Sequence, residues 1–205
     1  KNSEKKLELN CQIMNKIGVL YFCEDELKKE LIETKKNFQS KSTKSKYLNH
    51  PAHISIYVFE PKIDNYSNLI DDFKMMEKII DKIYVEMDKW IVFEKDFLTN
   101  LNTLCLDIKK TKELYNFQKK IADLLNKYAK KSTDIKLIDV FLKSQKKYGY
   151  PFIGEHWIPH ISVGSMNLPK KKLLELSYNH INSKNLIIDK IGLYEIIDDE
   201  HVLIE

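Results

Sequence analysis

Residues 51–59, PAHISIYVF, and residues 158–166, IPHISVGSM, carry the same tripeptide, His-Ile-Ser, in two distant parts of one chain. Each copy follows closely on a proline and heads a run of alternating apolar residues. Such alternation marks a strand with one buried face, and residues two apart in a strand share a side. His53 and Ser55 are thus expected on one face, with Ile54, Ile56 and Val58 on the other. His160 and Ser162 are likewise expected opposite Ile161 and Val163. The apolar side can anchor each strand on a core and leave imidazole and hydroxyl displayed. Pro51 and Pro159 suit strand starts, where a missing N–H is tolerated.

The rest of the chain repeats around these strands. Ile17–Phe22 reads as a strand, and Glu24–Phe38 as a helix with Leu27, Leu31 and Ile32 at helical spacing. After the first motif, NYSNLIDDFKMMEKII predicts a helix with Leu69, Phe73, Met76, Ile79 and Ile80 inward, and KIYVEMDKWIVFE a half-buried strand or hairpin. The order then recurs. Asn102–Ile108 is a strand, and residues 111–131 form a helix with Leu114, Phe117, Ile121, Leu124 and Leu125 on one face. A longer connection precedes the second motif strand, and a helix starting at Pro169 follows it. NLIIDKIGLYEII and HVLIE close the chain as strands.

Composition excludes several classes. The 205 residues are 43% hydrophobic and 31% charged, the balance of a water-soluble globular chain, and fit one domain. No apolar run approaches the roughly 20 residues of a membrane helix. The polar start, KNSEKKLELN, carries no signal peptide, which predicts a cytoplasmic location. Cys11, Cys23 and Cys105 are odd in number and lack metal or redox spacing, so reduced thiols are expected. The net charge is +4, and every basic residue is lysine. Phosphate contacts must therefore use ammonium groups and hydroxyls, without the bidentate fork of a guanidinium.

Two imidazoles flanking one phosphorus can divide the work of phosphodiester cleavage. One, neutral, takes a proton from the attacking oxygen; the other, protonated, gives one to the leaving oxygen. Histidine suits both roles because its ordinary pKa lies near 6.5. Serine hydroxyls two residues along can hold the non-bridging oxygens. A single His-x-Ser on a strand usually means a half-buried histidine with a satisfied hydrogen bond. Two of them in matching halves point instead to His53, His160, Ser55 and Ser162 as a catalytic set, with no metal and no cofactor.

These motifs resemble the paired His-x-Ser/Thr motifs of the two-histidine (2H) phosphoesterase superfamily, which includes the 2′-5′ RNA ligase-like and cyclic nucleotide phosphodiesterase branches. The resemblance spans nearly the whole chain. It implies that His53 and His160 are the catalytic histidines and Ser55 and Ser162 the phosphate-binding hydroxyls, acting without a metal on RNA ends or small cyclic phosphodiesters. Where members of the ligase branch place an arginine soon after the second motif, this chain has Ser165 and Met166. Phosphate recognition is then weaker, or falls to lysines.

The expected fold is α+β and bilobal. Two duplicated strand-helix-strand-helix-strand halves, about 13–100 and 101–205 within a single domain, place two antiparallel sheets around a central cleft with helices outside. Around the site, KSQKKYGYPFIGEHW reads as a loop in which aromatics alternate with lysines. It suits base stacking and phosphate tracking, and offers Tyr148, Tyr150, Phe152, Trp157 and Lys147 as substrate contacts. Packing of some of these rings onto the core is the competing reading. His50 and His156, in HPAH and HWIPH, raise a four-histidine metal site, against which stands the lack of a carboxylate or thiolate at matching spacing. His156 shares strand parity with His160, His50 reads as a surface loop residue, and His180 and His201 carry no motif. The expected activity is hydrolysis of 2′,3′-cyclic phosphate ends of RNA or of small cyclic nucleotides by a monomer. The alternatives are 2′-5′ oligoadenylate, cyclic-dinucleotide or RNA 3′-end cleavage, and, in another class, an RNA-end-binding module without turnover.

Overall fold

The computed structural model describes residues 16–62, 66–78, 81–96, 98–131, 139–177, 185–197 and 200–205. Cys11, Ile79, Ile80 and His180 lie outside them. The elements run β1 (Lys16–Phe22), α1 (Asp25–Gln39), β2 (Ser45–Lys46), β3 (His53–Phe59), α2 (Ser67–Glu77), β4 (Ile83–Phe93), β5 (Asn102–Ile108), α3 (Lys112–Leu125), α4 (Asp139–Tyr148), β6 (His160–Met166), α5 (Lys170–Ser177), β7 (Asn185–Ile188), β8 (Gly192–Ile197) and β9 (Glu200–Leu203). The fold is mixed α and β, with a large antiparallel sheet and five helices among the described residues. No helix among these residues is long and apolar enough to cross a membrane.

Instead of two separate sheets, the strands make one continuous path, β7-β4-β5-β6-β3-β1-β8-β9, with the short β2 added to β6. The two motif strands are direct neighbours at its centre. They pair through one residue pair only, Ile54 opposite Ile161, while β6 turns its far end to β2, with Lys46 opposite Ser165. Each side of the centre draws strands from both parts of the chain: β4 pairs with β5, and β8 with β1. A long β4 that reaches across to β5 explains why Ile83–Phe93 is one strand and not a hairpin.

The divergence of β3 from β6 has a local cause. Against β1, Ser55 pairs with Leu20 and Tyr57 with Val19, which leaves Ile56 as an extra residue. Against β5, Ser162 pairs with Cys105 and Gly164 with Leu104, which leaves Val163 extra. Both motif strands thus bulge at the residue right after the motif serine. A bulge bends its strand and increases local twist, so the two strands part as soon as they have passed the motif. It also resets the alternation. Tyr57 and Phe59 turn into the core and Val58 becomes half-buried, the reverse of what unbroken alternation predicts for Val58.

The core lies between the sheet and the helices. α1 contributes Leu27, Leu31 and Phe38, α2 Leu69, Phe73 and Met76, and α3 Leu114, Ile121, Ala122 and Leu125. α3 starts at Thr111, whose hydroxyl accepts from the Leu114 N–H at 3.1 Å, an N-cap worth about 1 kcal/mol. Ile32 and Leu124, expected inward, are exposed on the outer faces of α1 and α3. Residues 139–148 are helical where the sequence suggested a loop from Lys143 onward. That helix, α4, stops at Gly149, whose φ of +69° and close approach to the Lys130 carbonyl oxygen admit no Cβ.

Candidate active site

His53 and His160 are the first residues of β3 and β6, and both are half-buried. Continued by one residue each way, the antiparallel pairing of Ile54 with Ile161 aligns His53 with Ser162 and Ser55 with His160. Opposed residues point to the same side, so all four polar side chains share one face. The two histidines are diagonal neighbours, an arrangement that sets such residues about 7–8 Å apart. The structure thus brings together the four residues that the motifs singled out, and it does so by sheet pairing.

Each ring is held in the same way. The Nδ1 of His53 lies 2.9 Å from the carbonyl oxygen of Pro51, and that of His160 lies 2.7 Å from the carbonyl oxygen of Ile158. A carbonyl only accepts, so Nδ1 carries the hydrogen in both neutral rings and Nε2 keeps the lone pair. The residues supplying these carbonyls sit two positions before each histidine. The approach to His53 is itself fastened from below. The buried Lys35 ammonium of α1 donates to the His50 carbonyl oxygen at 2.5 Å and to that of Tyr47 at 3.5 Å, and the Cys23 N–H donates to the Ala52 carbonyl oxygen. Burial lowers the pKa of Lys35 to about 8.

The surroundings of the two rings differ. His53 packs against Phe22 of β1, with ring centroids 5.6 Å apart, and against His201 of β9 at 4.7 Å. His201 in turn meets His50 edge-on at 5.0 Å. Burial, with neighbouring His201, His50 and Lys35, pushes the His53 pKa down to about 3, against the opposing pull of the Pro51 carbonyl. His160 packs edge-on against Phe93 of β4 at 5.1 Å and stands opposite Asp107 of β5. Burial lowers its pKa as well, but the Ile158 carbonyl and the carboxylates of Asp107 and Asp96 all pull it upward. Asp107 is raised by burial, with Lys89 and His160 opposing that shift. Beside them, Ser162 Oγ lies 3.7 Å from the buried Cys105 thiol.

The aromatic segment before the second motif makes contacts within the fold. Tyr148 is buried, its hydroxyl donating to Asp123 at 2.9 Å and its carbonyl oxygen accepting from Tyr57 Oη at 2.5 Å. Lys147 is ion-paired to Asp123 at 2.9 Å and also donates to the Tyr148 hydroxyl. Tyr150 packs on Tyr57 and on Phe152, which continues to Phe141. Tyr57 lies on the core side of β3, so this group belongs to the face turned away from His53 and Ser55. Trp157 is buried, and its indole N–H donates to the Ser55 carbonyl oxygen at 3.1 Å, beyond the last β3–β6 pair. Tyr148 and Trp157 are thus held in the core, and Lys147 is exposed in an ion pair on its surface.

His156 closes a 3-10 turn, Gly154–His156, so strand parity does not reach it; its ring packs on Phe141. His50, expected at the surface, is drawn in by Tyr47 and His201. Among the described residues, no group of three or more His, Cys, Asp or Glu side chains is arranged to hold a metal ion. Sequence reasoning missed His201, Phe22, Phe93 and Asp107. Asp107 carried a usable signal: it is the sole charged residue of NTLCLDI and shares strand parity with Cys105 and Thr103. His201 carried none: no motif marks it, and only the fold sets its ring 4.7 Å from that of His53.

The chain belongs to the 2′-5′ RNA ligase superfamily, whose family model matches residues 24–200. Among solved structures it is similar to Usb1 of Kluyveromyces marxianus, at 12% identity and a TM-score of 0.49, over 92% of this chain and 96% of that one. The same protein solved with uridine monophosphate gives 11% identity and a TM-score of 0.48, over 93% and 97%. No curated protein matches the chain.

Proposed function

We propose that the chain is a metal-independent phosphodiesterase that hydrolyses 2′,3′-cyclic phosphate ends of RNA or small cyclic nucleotides. The observation that carries this reading is the pairing of two His-Ile-Ser strands with both Nδ1 atoms committed to backbone carbonyls. The two Nε2 atoms are then free of those carbonyls, one to accept a proton from water and one to protonate the leaving ribose oxygen. Ser55 and Ser162, each opposite the other motif's histidine, donate to the non-bridging oxygens and hold the group in line.

The test is hydrolysis of a 2′,3′-cyclic-phosphate-ended oligonucleotide, with 2′-5′ linked, cyclic-dinucleotide and linear RNA 3′-end substrates alongside. Ser55→Ala and Ser162→Ala are each expected to slow turnover about 10²-fold, the cost of one lost oxyanion donor. Unchanged rates would remove the hydroxyls from the mechanism. Turnover is expected to persist in EDTA at the untreated rate. Loss in EDTA with recovery on added zinc would overturn the metal-free scheme.

A further inference from the structure

The two imidazoles share a tautomer lock, but their cross-strand neighbours make them unequal. On the His160 side, β5 sets Asp107 opposite His160 in the strand register. Opposed side chains on one sheet face have their Cβ atoms about 4.5–5.5 Å apart. Asp96, between β4 and β5, adds a second carboxylate to the same surroundings. It is fixed there by the Thr103 hydroxyl at 2.6 Å and the Leu98 N–H at 3.0 Å. Phe93 closes the β4 side without charge. Lys89 and Asp88 of β4 act on Asp107 with opposite signs.

On the His53 side, among the described residues, the groups that act on the ring include no carboxylate. β9 supplies His201, the loop before β3 supplies His50, α1 supplies the buried Lys35 cation, and β1 supplies the neutral Phe22. Each titratable neighbour is cationic or becomes so on protonation. A proton on His53 is therefore opposed from three elements, whereas a proton on His160 is favoured from two. A carboxylate within about 4–6 Å raises a histidine midpoint by roughly one unit or more, and a nearby cation lowers it.

We infer that Asp107 makes His160 the proton donor and that His201, packed on His53, makes His53 the proton acceptor. Asp107 and His201 are positioning residues that act through the two histidines. This inference rests on the two-histidine reading above, and in hydrolysis it assigns the steps. His53 Nε2 takes a proton from water as the new P–O bond forms. His160 Nε2 gives its proton to the ribose oxygen as the old P–O bond breaks. One proton is taken and one is given, so both imidazoles end with the opposite protonation and re-equilibrate through solvent.

The experiment is an NMR titration of the imidazole protons of the full chain, assigned with His53→Gln and His160→Gln, in the wild type, Asp107→Asn and His201→Phe. In the wild type His160 is expected to titrate above His53. Asp107→Asn is expected to lower the His160 midpoint by about one pH unit and leave His53 in place. His201→Phe is expected to raise the His53 midpoint and leave His160 in place. In the rate profile, the alkaline limb reports the acid and the acidic limb the base. Asp107→Asn should therefore move only the alkaline limb, to lower pH, and His201→Phe only the acidic limb, to higher pH. A His53 midpoint above that of His160, or midpoints untouched by either substitution, overturns the assignment whether or not the enzyme turns over. Failure of the phosphodiesterase reading shows differently, as an absence of turnover on every substrate while the titrations shift as stated.

Discussion

Turnover of a 2′,3′-cyclic-phosphate-ended oligonucleotide is expected to fall by about 10³-fold or more in His53→Ala and, separately, in His160→Ala. General acid–base catalysis by one positioned side chain contributes about 10²–10⁴-fold, and each variant also leaves the remaining imidazole without its counterpart. The double variant is expected to be little worse than either single one, because two groups that act in one concerted step are not additive. Both rings are half-buried and lie on the face away from the core cluster, so the thermal transition of each variant should match the wild type. Near-normal rates in either variant, with the fold intact, would sink the two-histidine mechanism. Equal thermal stability matters for the same reason, since a variant that unfolds says nothing about chemistry.

The largest expected effect on stability falls on Trp157. Its side chain is buried, and its N–H satisfies the Ser55 carbonyl where β3 has left β6. Trp157→Ala removes a large ring and strands that carbonyl. Loss of a buried aromatic side chain costs about 3–5 kcal/mol. For a chain of this size, that corresponds to a melting temperature lower by on the order of 10 °C. Trp157→Phe keeps most of the apolar volume and loses chiefly the hydrogen bond, about 1 kcal/mol. A calorimetric scan of both variants checks the order. A Trp157→Ala protein that melts like the wild type but shows a raised KM would return the residue to substrate contact and overturn its structural role.

The element order was legible because period 2 and period 3.6 alternate clearly along the chain, and because the motif strands announce themselves by repetition. The candidate quartet of His53, Ser55, His160 and Ser162 was legible for the same reason: parity within HIS already puts His and Ser on one side. Pairing was not. Nothing in KIYVEMDKWIVFE says that it joins β5, and nothing in HVLIE says that His201 ends beside His53, since strand partners are chosen by long-range packing. The placement of the Tyr148–Trp157 segment was not legible, for a physical reason. Aromatics next to lysines describe an RNA-binding loop and an amphipathic support equally well, and the difference lies in partners such as Tyr57 and Asp123, which are distant in sequence.

The extra residues Ile56 and Val163 also determine which changes the chain can accept. On either strand the apolar side chains can be exchanged for others of similar size, because the backbone phase and not their identity aims the histidines. The count between Ser55 and Tyr57, or between Ser162 and Gly164, is another matter. Losing one residue there would turn Tyr57 and Phe59 out of the core, or roll Ser165 away from Thr103, while leaving the composition almost unchanged. In evolutionary terms these are two places where spelling is free and length is not.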